Sequence, residues 1–236
     1  MKIPIKGVIV SNDEKRIYEL FDMEVTTPKD VTKLIDKANG EKLEVIINSP
    51  GGDVYSGSEI YTELMDYKGP VDVKIVGVAA SAASVVAMAG GNTKISPTAQ
   101  IMIHNVSSIA QGDYRDFKHE SKVLKNYNKS IANAYILKSG MEQEELLKLM
   151  DKETWLSAQQ AKEYGFVNEI MFDNGNKLAA SVKTSSNFML PEKVINKIRN
   201  SLYDGGLIED DKGDNENKKE IYKEKLNLLK LKRRDI

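Results

Sequence analysis

Apolar and polar positions follow two different periods over the first 172 residues, which predicts strands interleaved with helices. Strand-like runs, either alternating or continuously β-branched, cover residues 3–10, 43–48, 71–76, 94–96 and 100–104. Helical spacing covers residues 28–38, 55–67, 113–140, 142–150 and 157–165. A strand–helix–strand order implies parallel pairing with right-handed crossovers. We therefore predict an α/β fold.

The first long helix carries clear start and stop signals. Thr27 can cap its beginning and Pro28 suits the first helical position. Asn39 and Gly40 tolerate the left-handed conformation that commonly ends a helix. Before this helix, residues 17–21 are predicted to form a second short strand or sheet edge.

The pattern changes after residue 172, which divides the chain into a domain of residues 1–172 and a C-terminal extension of residues 173–236. The extension contains an acidic, glycine-containing stretch at residues 204–216, which predicts partial disorder. A basic amphipathic segment follows at residues 218–234. A solvated, partly helical tail and a docking or multimerising helix are both open interpretations of that segment.

The composition indicates a soluble intracellular protein. Of the 236 residues, 41% are hydrophobic and 29% are charged, and the formal net charge is −1. This balance gives no indication of a nucleic-acid or membrane partner. The chain has no cysteine, which excludes disulfides and thiolate metal sites and suits the cytoplasm. The sequence shows neither a signal peptide nor an apolar run of the ~20 residues that span a bilayer.

The first candidate for chemistry is Ser81, which lies between a predicted strand and a run of small apolar residues with helix propensity. A sharp turn at Gly77 is expected to leave this serine at the beginning of a helix, where unpaired N–H groups stabilise negative charge. Gly51 and Gly52 follow another strand and present bare backbone N–H groups. Ligands of parallel sheets bind at the carboxyl ends of strands, so these residues are expected to share one pocket. Close helix packing, with Ser81 as a plain cap, is the alternative.

A serine nucleophile needs a base, and the base needs an orienting carboxylate. The chain has two histidines. His104 ends an apolar strand and is either this base or a core histidine, whereas His119 lies in a charged helical pattern and is predicted to be at the surface. Glu153, close to the strand-like residues 154–156, is the candidate carboxylate.

Four sequence blocks together resemble the ClpP family of serine peptidases. They are Asn-Ser-Pro-Gly-Gly at 48–52, Gly-Val-Ala-Ala-Ser at 77–81, Met-Ile-His at 102–104 and Trp-Leu-Ser-Ala at 155–158, the last followed by Ala161 and by Glu-Tyr-Gly at 163–165. The blocks occur in the family's order and cover roughly residues 3–172. The sequence is most similar to the ClpP-like proteases encoded beside phage capsid genes, which process head or scaffold proteins.

The resemblance implies roles for individual residues. Ser81 is the implied nucleophile and His104 the general base. Gly51 and Gly52 border the oxyanion and substrate site, where Gly52 and Ala82 donate N–H groups. The family's third catalytic residue is an aspartate shortly before the Ser-Ala pair. An ungapped alignment puts Glu153 there, and Asp151, two residues upstream, is the alternative acid.

The resemblance also implies a fold and an assembly. The implied fold is the ClpP/crotonase-like ββα superhelix with a protruding handle at residues 105–140, in which residues 107–112 take the place of a substrate-binding strand. The implied assembly is a homo-oligomer of heptameric rings, stacked as a tetradecamer around a chamber. An AAA+ ATPase and a phage scaffold or capsid protein are the implied partners, and no cofactor or metal is expected. The first predicted strand begins almost at Met1, so the sequence does not show the N-terminal loop that is expected for ATPase docking. Dependence on ATP and action inside an assembling procapsid are therefore both open.

Two other functions are compatible with the residues. A crotonase-fold acyl-CoA hydratase or isomerase also holds an oxyanion with glycine N–H groups, but it does not need Ser81 and His104 in these motifs. A catalytically silent assembly subunit is the other alternative. A serine endopeptidase acting in phage capsid maturation is the leading prediction.

Overall fold

The computed structural model describes residues 1–173. Its strands are β1 (Lys2–Ile9), β2 (Val25–Thr26), β3 (Leu43–Gly52), β4 (Val71–Ala80), β5 (Asn92–Ile95), β6 (Gln100–Ile103), β7 (Thr154–Ser157) and β8 (Glu169–Ile170). Its helices are α1 (Lys15–Glu19), α2 (Pro28–Ala38), α3 (Val54–Asp66), α4 (Ala82–Ala87), α5 (Tyr114–Ser139), α6 (Gln143–Asp151) and α7 (Ala158–Glu163). The predicted C-terminal extension lies, from residue 174 onward, outside the described residues and stays a prediction.

The strands form one sheet in which nearly all neighbours are parallel. The order is β2-β1-β3-β4-β5-β8, and every pair along it is parallel. β6 pairs in parallel with the carboxyl end of β4, and β7 pairs antiparallel with β6. The predicted α/β fold of the ClpP/crotonase-like type is therefore confirmed.

The core lies between this sheet and the helices that cross over it. Alternate residues of β1 and β3 are fully buried, as the two-residue period predicts: they are Ile3, Ile5, Leu43, Val45 and Ile47. Every residue of α4 is buried as well. The helix α3 approaches α4 closely at Gly57, which has no side chain. A Cβ atom on Gly57 would lie 2.8 Å from the Cβ atom of Ala82.

The beginning of the chain confirms one local prediction and corrects another. Thr27 caps α2 by accepting a hydrogen bond from the backbone N–H of Asp30, and Asn39 ends the helix in the left-handed conformation. Residues 17–21, predicted as a strand or edge, belong instead to the one-turn helix α1 and the turn after it. The sheet position beside β1 is taken by β2 instead.

The strand before Ser81 is longer than predicted, and the chain turns later. β4 continues through Gly77 to Ala80, and the turn falls at Ser81 itself. A Cβ atom on Gly77 would lie 2.2 Å from Asn48 Oδ1, so a side chain at this position would displace the Asn48 amide. That oxygen accepts a hydrogen bond from the backbone N–H of Val78 at 3.1 Å, which ties β3 to β4 just before the turn.

The helix α5 matches the predicted handle in length and exposure. It begins at the cap Asp113 and ends at Gly140, and its buried residues, Ile131, Ala132, Ala134 and Tyr135, all lie in its second half. The first half of α5 has no buried residue and does not belong to the core. No helix within residues 1–173 has the length and apolar character required to cross a membrane.

Candidate active site

Ser81 occupies a strained turn between β4 and α4. Its backbone angles are φ 53° and ψ −126°, a region that side-chain-bearing residues rarely adopt. Its backbone N–H donates to the carbonyl oxygen of Met102 at 3.0 Å. The turn is thereby fixed to β6, the strand that leads to His104.

The structure brings Ser81 and His104 into direct contact. His104 Nε2 lies 2.8 Å from Ser81 Oγ, and both residues are partly exposed. With a proton on Nδ1, the imidazole accepts the serine hydroxyl proton at Nε2. A nucleophile and a base are therefore within reach of each other.

A buried hydroxyl chain supports the turn from below. Ser84 is completely buried, and its hydroxyl donates to the carbonyl oxygen of Ser81 at 2.6 Å. Ser84 Oγ also lies 2.7 Å from the hydroxyl of Tyr135, a core residue of α5. Because the Ser84 proton is committed to Ser81, Tyr135 is the donor in the second contact. Ser84 is a supporting residue and is not accessible as a nucleophile.

The predicted glycine loop adjoins the serine. A Cβ atom on Gly51 would lie 2.8 Å from Ser81 Cβ and 2.9 Å from the backbone N of Ala82. The N–H of Gly51 itself is used, since it donates to Ser49 Oγ at 3.1 Å. Gly52 is exposed at the end of β3. Among the described residues, none accepts a hydrogen bond from Ala82 N–H, which opens α4.

The two candidate carboxylates have different partners, and neither of them is His104. Asp151 Oδ1 accepts from Asn105 Nδ2 at 2.8 Å, and Glu153 Oε1 accepts from Trp155 Nε1 at 3.3 Å. Within residues 1–173, Ser81 is the one hydrogen-bond partner of the His104 ring. The structure thus brings together the serine and the histidine of the predicted triad, but not the acid.

The strand register nevertheless relates Glu153 to the histidine. Ile103 and Thr154 form the last pair of β6 and β7. His104 and Glu153 are the next residues on the two strands, so a continuation of the same antiparallel register would pair them. Glu153 ends the pairing because its φ of 48° turns the chain toward α6.

The remaining candidates for chemistry are excluded from this site. His119 is exposed on α5, as predicted. No three histidine, aspartate or glutamate side chains of the described chain lie where they could share a metal ion.

The sequence as a whole was compared with known proteins. The profile of the Clp protease family matches residues 24–174, which is more than half of the chain. The chain belongs to the Clp protease family. The match includes Ser81, His104, both glycines and both candidate carboxylates.

Members of the Clp protease family are similar to the chain over most of their own length. The ATP-dependent Clp protease proteolytic subunit of Deinococcus radiodurans is 33% identical over 141 residues, which are 58% of this chain and 69% of the relative. The protein of the same name from Bacteroides fragilis is 34% identical over 134 residues, which are 56% and 65% of the two chains. Proteolytic subunit 1 of Chlamydia abortus is 29% identical over 160 residues, which are 66% and 78%. The protein is accordingly an enzyme of the serine endopeptidase class.

Three features of the Clp protease site were not identified from the sequence. The Tyr135 support comes from a helix 51 residues away from Ser84 and had no local signal. The contacts of Asn105 and Trp155 with the two carboxylates were also missed. The alternating pattern on both sides of residues 103 and 154 favours an antiparallel register of β6 and β7. That register would have related Glu153 to His104.

Proposed function

We propose that the chain hydrolyses peptide bonds with Ser81 as nucleophile and His104 as general base. The observation that carries this proposal is the 2.8 Å contact between Ser81 Oγ and His104 Nε2 at a strained turn. Ser81 Oγ attacks the carbonyl carbon while Nε2 takes its proton, and the protonated ring gives that proton to the leaving amine nitrogen. Water then cleaves the acyl-enzyme by the same steps in reverse.

The oxyanion of the tetrahedral intermediate is proposed to bind the backbone N–H groups of Ala82 and Gly52. Support comes from the Ala82 N–H, which lies directly after the nucleophile and has no acceptor among the described residues. The missing side chain of Gly51 leaves open the space beside this nitrogen. Such donors act on the charge that develops during the reaction.

Glu153 is the proposed orienting acid. Support comes from the register of β6 and β7, whose continuation beyond Ile103 and Thr154 would pair Glu153 with His104, whereas Asp151 lies two residues earlier, at the end of α6, and is bound to Asn105. A carboxylate on Nδ1 would hold the proton there and leave Nε2 to accept the proton of Ser81. In the structure Glu153 contacts Trp155 and not His104, so this pairing requires the carboxylate to move.

Labelling with a fluorophosphonate, followed by intact-mass spectrometry, tests the proposal. Wild type should gain one adduct, and Ser81→Ala should gain none while keeping the same oligomeric state. His104→Ala should abolish both labelling and peptide hydrolysis. An oligomeric wild type that gains no adduct would instead support the silent assembly subunit. The oxyanion N–H groups would also suit an acyl-CoA hydratase or isomerase, but that function does not need the contact between Ser81 and His104.

The proposed assembly and setting follow from the family resemblance. A chamber of heptameric rings, joined through α5, would limit access to unfolded chains, and its partner would be an AAA+ ATPase or a phage scaffold or capsid protein. The long, half-exposed α5 supports a contact between copies. Co-production with a phage scaffolding protein should yield cleaved scaffold with wild type and intact scaffold with Ser81→Ala. Native mass spectrometry measures the ring size.

A further inference from the structure

Trp155 is the only tryptophan of the chain, and it is the second residue of β7, two positions after the candidate acid Glu153. Its side chain is 48% exposed, which is unusual for the largest apolar residue. Its indole N–H donates to Glu153 Oε1 at 3.3 Å. An indole nitrogen is a donor only, so this contact uses all the hydrogen-bonding capacity of the side chain.

The contact concerns the carboxylate that the strand register brings to His104. The last pair of β6 and β7 is Ile103 with Thr154, and Glu153 and His104 are the next residues on the two strands. His104 nevertheless has no carboxylate partner among the described residues, and its ring contacts Ser81. The candidate acid is therefore one register position beyond the last strand pair, and the contact that it makes is with the indole.

The geometry favours a contact that is easily exchanged. The N–O distance of 3.3 Å is longer than the usual range for such bonds, and Glu153 is exposed. A neutral indole donor competes poorly with a charged one, because bonds between two ionised groups are shorter and stronger. Once His104 has taken the Ser81 proton, its imidazolium N–H becomes the better partner for the carboxylate.

We propose that Trp155 is a positioning residue, whose indole N–H holds the Glu153 carboxylate off His104 in the resting enzyme and releases it as the histidine becomes protonated. This inference rests on the proposed function of Ser81, His104 and Glu153. It assigns to Trp155 a restraint on catalysis rather than a contact with substrate.

The first test compares rates of fluorophosphonate labelling in the full chain. Trp155→Phe keeps the aromatic ring and removes the N–H, so Glu153 becomes free to pair with His104. Labelling of Ser81 should become about two- to fivefold faster, the range expected when one weak competing hydrogen bond is lost. Tyr114→Phe, which removes a hydroxyl from an aromatic side chain that is 78% exposed on α5, is the matched control and should leave the rate unchanged.

A merely structural tryptophan would give the opposite result. If Trp155→Phe labels at the wild-type rate or more slowly, the inference is overturned. If wild type itself is not labelled, the proposed function fails and the inference fails with it. Labelling of wild type without acceleration in the variant overturns the inference alone.

The second test leaves Trp155 in place and uses its own fluorescence. A phosphonate adduct on Ser81 resembles the tetrahedral intermediate and favours protonated His104, so Glu153 should leave the indole and the tryptophan emission should change. Ser81→Ala forms no adduct and should show no change. Glu153→Ala, labelled to completion over a longer time, should also show none. An unchanged emission in the wild-type adduct, or an equal change in the Glu153→Ala adduct, would overturn the inference.

Discussion

Gly51 lies so close to Ser81 that a Cβ atom on the glycine would stand 2.8 Å from Ser81 Cβ. The same atom would lie 2.5 Å from the carbonyl oxygen of Ala80. Real Cβ atoms do not approach other heavy atoms at these distances, so the loop after β3 can reach the turn only without a side chain. The oxyanion side of the candidate site therefore depends on a close approach between two backbones.

Gly51→Ala should consequently impair both stability and activity. The φ of 91° alone should cost about 1–2 kcal/mol, and the overlap should add about 1–3 kcal/mol. A displaced Ser81 should be labelled about a hundredfold more slowly. Urea denaturation and fluorophosphonate labelling measure the two effects.

Gly40→Ala is the matched control for this prediction. Gly40 also has a positive φ, 84°, but nothing lies within 4 Å of the position of its Cβ atom. The substitution should lower stability by about 1–2 kcal/mol and leave the labelling rate of the folded protein unchanged. Equal effects of the two alanines on labelling would show that the close approach to Ser81 has no role.

The hydroxyl chain below the turn gives a second prediction, on stability. Ser84→Ala removes the donor to Ser81 and leaves the buried Tyr135 hydroxyl without its partner, so it should cost about 2–3 kcal/mol. Tyr135→Phe removes one partner of Ser84 but leaves the bond from Ser84 to Ser81, and should cost about 1 kcal/mol. Chemical denaturation of both variants measures the difference. A larger loss for Tyr135→Phe would contradict the assigned donor directions.

Alkaline pH should destabilise the fold through Tyr135. Burial of the Tyr135 side chain disfavours the charged phenolate and therefore raises the pKa of Tyr135. The folded chain therefore keeps a proton that the unfolded chain loses above pH ~10, so this contribution to stability is complete below that pH and declines above it.

The pH effect can be isolated with the phenylalanine variant. Denaturation midpoints at pH 8 and pH 11 should differ less for Tyr135→Phe than for wild type. Part of the loss should remain in the variant, because partial burial together with the neighbouring Tyr55 raises the pKa of Tyr127 to about 12. The same pH dependence in both proteins would exclude Tyr135 as a source.

Much of the fold follows from local signals in the sequence. The capping residue Thr27 and the buried alternation of β1 and β3 depend on neighbours in the chain, and the structure shows both as predicted. The turn lies at Ser81 rather than at Gly77, where Asn48 of the neighbouring strand occupies the space beside the glycine and accepts a hydrogen bond from the Val78 N–H. Gly77, which the sequence predicts as a turn, instead lies within β4, beside the Asn48 side chain.

The candidate site divides in the same way. Ser81 and His104 each follow a predicted strand, but it was the resemblance to the ClpP family that implied they act as a pair; they lie 2.8 Å apart. The partner of each carboxylate could not be predicted, since Asn105 and Trp155 meet Asp151 and Glu153 through side-chain rotamers rather than through a sequence pattern.

The identity of the acid can be decided by two amide substitutions. Glu153→Gln should lower kcat by about 10²- to 10⁴-fold, because an amide cannot stabilise the imidazolium and can stabilise the wrong tautomer of His104. Asp151→Asn keeps an oxygen that accepts from Asn105 Nδ2 and loses only an exposed charge, so kcat should stay within about threefold of wild type. Peptide hydrolysis by the two variants, at equal oligomer concentration, measures both effects. A greater loss for Asp151→Asn would make Asp151 the acid, and it would mean that the register of β6 and β7 does not determine which carboxylate reaches the base.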